Sequence, residues 1–320
     1  MKKICLLFWF SIVLSLFVCI PNIGTAKGDD VSNVSGNQHF MVLASFNLKC
    51  RFPEVTEKMM VYRTVDPNIS RDDILSLMKI FGLDGQIIDQ GRQFIAKDGD
   101  KVLEVFKQSG TGYLRFSDDA KLAIEKKAEN LPSKDEAVAK ANDFLKNNGL
   151  LPSNTFLAGV VYYEFEQYDS EGKAIDQGKT ALSVGFGFKI NEMKVEGPGA
   201  KVSIVFGESG EIIETAKIWR EIKPDKEARI ITPQEAFARF KERWPTEAKP
   251  NELEQAKIKT EVNIREVYVT YYAEPGCIPQ SYIEPVYVFV GDYQTSGIIG
   301  NQEIMEGDHF KIIVSAIHKE

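Results

Sequence analysis

The chain predicts an α+β fold, built of repeated units in which one helix packs on a small antiparallel sheet. Three observations point there. Residues 195–220 read as a hairpin: Val202, Ile204 and Phe206 alternate with Lys201, Ser203 and Val205, and Gly207-Glu208-Ser209-Gly210 makes the turn. Helix starts of one kind recur at Ser70, Ser133 and Thr232, each with an acidic residue three positions on. Alternating strand-like stretches follow each of the last two. The starts lie 63 and 99 residues apart, which is domain-scale spacing and not a short solenoid period.

Taken in order, the chain opens with Lys2 and Lys3, an apolar run over 4–20, and the small residues Gly24 and Ala26. This reads as a secretory signal over 1–26, with an uncleaved membrane anchor as the alternative. A polar leader follows, rich in Ser, Asn and Gly. Residues 27–130 are expected to form a divergent amino-terminal α+β domain. Strands are expected at Phe40–Asn47 and Lys58–Thr64. A helix over 70–81 has Ile74, Leu77, Met78 and Phe81 on one stripe and stops at Gly82. Four short strands then run to Phe116, and Asp118–Asn130 is expected as a charged helical bridge.

Residues 131–225 and 226–320 are expected as two modules of one plan. The first has a helix from Ser133 with Ala137, Ala141, Phe144 and Leu145 inward. Strands follow over Gly159–Tyr168 and Thr180–Ile190, and then the hairpin. The second has a helix from Thr232 with Ala236, Phe237, Phe240 and Trp244, then strands over Ile258–Ala273, Ile283–Tyr293 and Phe310–Ile317.

The formal net charge is −7, and no basic patch interrupts it. That argues against nucleic acid and against an anionic membrane surface, so membrane contact is expected only through an uncleaved signal segment. Two of the four cysteines, Cys50 and Cys277, lie outside the signal. In an oxidising compartment they form one disulfide or remain two thiols.

No motif for catalysis stands out. His39, His309 and His318 lack metal-ligand spacing, so no metal or cofactor is expected. Asp72/Asp73 and Asp135/Glu136 sit in first helical turns, where the helix dipole accounts for them. Gly185 and Gly187 alternate with Phe186 and Phe188, which leaves one strand face bare for a helix or an aromatic ring to approach. The aromatic residues are the candidates for binding: Tyr162, Tyr163, Phe165 and Tyr168 on one strand, with Tyr271 and Tyr282 in the last module. Tyrosine gives contact area at low entropic cost. The alternative is burial between sheet and helix or between domains.

Ser133-Lys134-Asp135-Glu136-Ala137 and Thr232-Pro233-Gln234-Glu235-Ala236, each followed by paired strands, resemble PepSY-type modules. Gly210-Glu211-Ile212 matches the Gly-Glu-Ile/Val return of that family. The resemblance spans about 131–319. It implies a helix against a small antiparallel sheet, an extracytoplasmic place, and a role like those of protease propeptides or regulators of histidine kinases. It offers no catalytic residues.

The function expected is therefore non-catalytic binding of another extracytoplasmic protein or peptide, modulating a protease or a sensor. The alternatives are a structural envelope protein without a tight partner, and a small-ligand carrier or enzyme. An open sheet edge over Val161–Tyr168 is the expected contact surface.

Overall fold

The computed structural model describes residues 44–108, 110–122, 127–244, 259–299 and 302–318. The expected signal segment 1–26 and the polar leader lie outside the described residues. Strands β1 (Ala44–Leu48) and β2 (Lys58–Thr64) precede helix α1 (Arg71–Phe81). Then come β3 (Gln86–Asp89), β4 (Gln93–Asp98), β5 (Lys101–Phe106), β6 (Tyr113–Asp118) and the short helix α2 (Asp119–Leu122). Helix α3 (Lys134–Asn147) leads into β7 (Thr155–Tyr168), β8 (Ala174–Ile190), β9 (Met193–Lys194), β10 (Lys201–Phe206) and β11 (Ile212–Ile218). Strand β12 (Ile222–Arg229), helix α4 (Pro233–Arg243), β13 (Lys259–Tyr272), β14 (Tyr282–Ile299) and β15 (Gln302–Ser315) complete the order.

This corrects the expected fold class. The described chain is mostly strand, in two large sheets, and is not a series of helix-on-sheet units. One sheet has nine strands in the order β3-β4-β5-β6-β11-β10-β8-β7, with β9 beside β8. Its middle joins β6 to β11 through Tyr113↔Ile218 to Ser117↔Glu214. Residues 27–130 and 131–225, expected as separate domains, thus share a sheet. The physical reason is that a hairpin-built sheet ends in unpaired N–H and C=O groups, and β6 and β11 satisfy each other's. The second sheet runs β1-β13-β14-β2-β12, with β15 also on β14. There β1 pairs in parallel with β13, from Ala44↔Thr260 to Leu48↔Ile264. The chain forms two compact units: unit 1 holds 62–224 and 271–283, and unit 2 the remaining described residues.

The helix starts follow the expectation closely. Ser70 accepts the Asp73 amide while the Asp73 carboxylate accepts the Ser70 amide, and Gly82, at φ +63°, ends α1 in the left-handed region. Ser133 with Glu136 and Thr232 with Glu235 form the same box. The charged stretch Asp118–Asn130 departs from expectation. Among its described residues only Asp119–Leu122 is helical.

In unit 1, α1 and α3 cover one face of the nine-stranded sheet. Phe81 stacks on Phe116 at 4.6 Å and meets Phe144 at 5.9 Å. The buried row Leu103, Phe116, Thr215, Ile204 and Val184 crosses five strands in register on that face. Each large apolar side chain there contributes about 1.5–3 kcal/mol of burial. A second fixture of unit 1 is Arg220, which is buried. Its guanidinium donates to the carbonyls of Gly110 (2.6 Å), Glu274 (2.8 Å), Pro275 (2.7 Å) and Ile278 (2.5 Å). Burial lowers its pKa to about 10. Gly199 makes room for this node, since a Cβ there would sit 1.8 Å from the Glu274 carbonyl oxygen and 2.8 Å from Arg220 Nη1.

In unit 2, α4 lays Phe240 onto Phe289 at 4.7 Å and Phe310 at 5.8 Å. Phe46 of β1 closes edge-on against Phe240 and Trp244. Cys50 lies half-buried beside this core and is a free thiol, so the disulfide weighed between Cys50 and Cys277 is not formed. Burial pushes the Cys50 thiol up.

Candidate binding edge

Four of the six candidate aromatics lie on β7, and β7 is the end strand of the nine-stranded sheet. Its Val, Tyr and Phe residues suit a pleated, half-buried surface. It pairs with β8 from Thr155↔Phe188 to Tyr168↔Ala174, with irregularities after Leu157, Tyr163 and Gln167. Among the described residues no strand pairs with its other side. Alternate residues of a strand aim N–H and C=O away from the paired neighbour, so this side is a row of backbone donors and acceptors.

The two faces of β7 differ. Tyr163 packs against the cluster of Ala181, Val205 and Ile213. Burial raises its phenol pKa, and its hydroxyl is hydrogen-bonded to Ser183. Phe165, on the same face, covers Gly178: a Cβ on that glycine would lie 3.2 Å from the ring. The other face carries Tyr162, Glu164, Glu166 and Tyr168. Lys179 holds its ammonium 3.7 Å above the Tyr162 ring, and Lys134 lies 5.8 Å away. The Tyr168 hydroxyl donates to Glu166, and that bond raises its pKa. Beyond Tyr163 the hairpin is mostly exposed from Glu164 to Lys179, and Tyr168 and Ile175 are exposed large apolar residues, as are Leu157 and Val161 nearer its base.

The remaining two candidates are elsewhere. Tyr271 is 1% exposed, so it offers no contact surface. It meets Tyr62 edge-on at 5.4 Å, burial pushes its phenol pKa far up, and Tyr62 in turn accepts a hydrogen bond from Asn191 at 2.8 Å. Tyr282 is exposed and pairs in register with Arg63. The bare glycine face is met by an aromatic ring, since a Cβ on Gly187 would sit 2.6 Å from the Phe156 ring.

Two polar features escaped the sequence reading. On the opposite face of the sheet from α1 and α3, Arg115 donates to the buried Glu214 at 2.7 Å, with Glu104 3.8 Å away. Burial raises the Glu104 pKa and pushes the Tyr113 phenol up to about 12. These partners come from three strands, so no local motif announces them. A cavity of about 330 Å³ also opens beside Ser153, Asn154, Lys217, Trp219 and Glu221. Trp219 is fixed there by stacking on Phe188 at 4.1 Å, and burial lowers the Lys217 pKa. Neither place has the nucleophile and base in hydrogen-bond contact that covalent catalysis needs. Among the described residues no group of three His, Cys, Asp or Glu side chains is placed to hold a metal ion, and no helix is long and apolar enough to cross a membrane.

No family model matches the chain, and no curated protein matches it. Among solved structures, the chain is similar to an uncharacterized protein from Eubacterium rectale ATCC 33656. The identity is 11%, the match covers 87% of this chain and 88% of that one, and the TM-score is 0.45. It is also similar to the Bacillus megaterium YpeB C-terminal domain, at 14% identity over 77% of this chain and 98% of that one, with a TM-score of 0.33.

Proposed function

We propose that the chain is a non-catalytic extracytoplasmic binding protein, PepSY-like in kind, that takes an extended segment of a partner protein along the free side of β7 and so modulates a protease or a sensor. The observation that carries this reading is the edge itself. β7 is a 14-residue strand at the end of its sheet, rich in aromatic and β-branched residues, and it leaves Leu157, Val161 and Tyr168 exposed. Strand addition to such an edge uses backbone hydrogen bonds for affinity and alternate side chains for selection. The two capping boxes with their Ala137 and Ala236 continuations support the PepSY likeness, and the charged start and apolar run over 1–20 support an extracytoplasmic place.

The test is capture of partners by residues 27–320 from secreted and envelope proteins of the source, followed by hydrogen exchange of the complex. Strand addition predicts slowed exchange over Thr155–Tyr168. Proline at Val161 and, separately, at Tyr162 removes one outward donor in one of the two variants, and that variant is expected to lose the partner. Slowed exchange confined to other strands, with both proline variants binding normally, would remove the reading.

A further inference from the structure

We infer that the segment accepted by β7 is basic and alternating, with Lys or Arg at every second position and apolar residues between. This rests on the reading of β7 as a strand-accepting edge. It adds the chemistry of the incoming strand.

The argument starts from the face that carries Tyr162, Glu164, Glu166 and Tyr168. In an antiparallel or parallel addition, side chains of the new strand stand beside those of β7 on the same face, about 5 Å away. Two carboxylates thus sit where the incoming residues must pass, between two tyrosine rings. Glu164 is in no ion pair among the described residues. Lys179, its register partner on β8, places its ammonium over Tyr162 instead. Glu166 has the Tyr168 hydroxyl as its partner, which leaves its negative charge without a cation. Tyr162 already receives a cation on its ring, so the row suits Lys and, better, the flat guanidinium of Arg.

The opposite face selects differently. Tyr163 and Phe165 are half-buried, and an incoming residue beside them continues an apolar surface. The alternation of β7 therefore asks for an alternation in its partner. Longer-range charge agrees: from Glu164 to Lys179 the hairpin has five acids and two lysines. A negative arm on a chain of net charge −7 speeds encounter with a basic segment and slows encounter with an acidic one. A second copy of this chain is a poor occupant. Thr155–Tyr168 contains no Lys or Arg, so edge-to-edge pairing of two β7 strands leaves all four glutamates without counter-charge.

The experiment uses residues 27–320 and three labelled peptides of equal length: alternating Lys-Val, alternating Glu-Val and alternating Ser-Val. Binding is read by fluorescence anisotropy, and its place by hydrogen exchange. The expected result is that the Lys-Val peptide binds about tenfold or more tighter than the Glu-Val peptide, with affinity falling as salt rises. Slowed exchange should fall on Thr155–Tyr168. The double variant E164Q/E166Q should lose that preference while keeping the far-ultraviolet circular dichroism of the parent, since both side chains are exposed.

Equal binding of the Lys-Val and Ser-Val peptides, with β7 protected, would overturn the basic pattern and leave the strand-accepting edge standing. Binding of the Lys-Val peptide without protection of β7 would overturn the pattern at this edge. Absence of binding by all three peptides at millimolar concentration, with β7 exchanging as in the free protein, would overturn both.

Discussion

Helix α3 of unit 1 and helix α4 of unit 2 begin with the same capping box, yet they meet their sheets with different side chains. α3 buries Ala137, Ala141 and Leu145, while α4 buries Pro233, Ala236 and Phe240. Around Phe240 the rings of Phe46, Phe237, Phe289, Phe310 and Trp244 close within about 6 Å. Unit 2 is thus held at one aromatic centre. Unit 1 spreads its packing along a row of side chains from five strands, Leu103, Phe116, Thr215, Ile204 and Val184, and adds the buried Arg220, whose charge is met by backbone carbonyls. A helix presents the same three-four stripe in both cases. What fills the stripe decides how closely the backbone approaches and how much depends on any single residue.

The sharpest way to break this contrast is to remove the central ring. Phe240→Ala should cost unit 2 about 3–5 kcal/mol, because the surrounding rings cannot collapse into the hole. Chemical denaturation followed by tryptophan fluorescence checks it. A cost below about 1 kcal/mol would show that the aromatic centre is not concentrated at Phe240. Next comes Arg220→Ala, which removes the guanidinium from four carbonyls, of which Gly110 and Pro275 keep a backbone N–H donor, and should cost unit 1 about 3 kcal/mol. Arg220→Lys should recover little, because one ammonium cannot reproduce a planar fork of donors. Full recovery by lysine would mean that the charge matters and the geometry does not.

The smallest effect sharpens what the two helices share. Ser133→Ala and Thr232→Ala should each cost about 1 kcal/mol despite the different faces beneath them. The capping carboxylates carry a pH signature as well. Hydrogen bonds from the Ser133 side chain and amide hold the Glu136 carboxyl below the usual carboxylate range, and those from the Thr232 amide and side chain do the same for Glu235. A carboxyl with a lower pKa folded than unfolded stabilises the fold above its unfolded pKa, near 4, and loses that contribution as pH falls through the folded value. The alanine variants should therefore differ from the parent most at neutral pH and converge with it in acid. Thermal unfolding at pH 7 and pH 3 measures this, and an unchanged difference at both would remove the carboxylates from the account.

Local chemistry was legible from residues alone because it acts within a few positions. Ser70, Ser133 and Thr232 are read with their partners three residues on, and Gly82 and the turn at 207–210 declare themselves by backbone freedom. Strand alternation was visible at β10, and strands were readable over most of β7 and the last part of β15. Strand β12 was not, because Lys223, Asp225, Lys226, Glu227 and Arg229 with Pro224 carry no apolar period, and an edge position tolerates such a strand. For the binding edge, the aromatic run over Tyr162–Tyr168 was readable, and so was the preference of tyrosine for contact surfaces. The fate of Tyr271 was not, since period two places a residue on a face without saying what covers that face.

The sequence by itself determined where helices α1, α3 and α4 begin and which stretches alternate. Only the tertiary structure decided that β6 pairs with β11, that β1 lies beside β13, that β7 is left at the end of its sheet, and that Arg220 lies buried among carbonyls. Each of these depends on segments far apart in the chain: Arg115 and Glu214 are 99 residues apart. Capping and turn preferences are settled by neighbours along the chain. Pairing across such a distance is settled by which closed loops satisfy the most backbone groups and bury the most apolar surface at once, and no single stretch of residues encodes that sum.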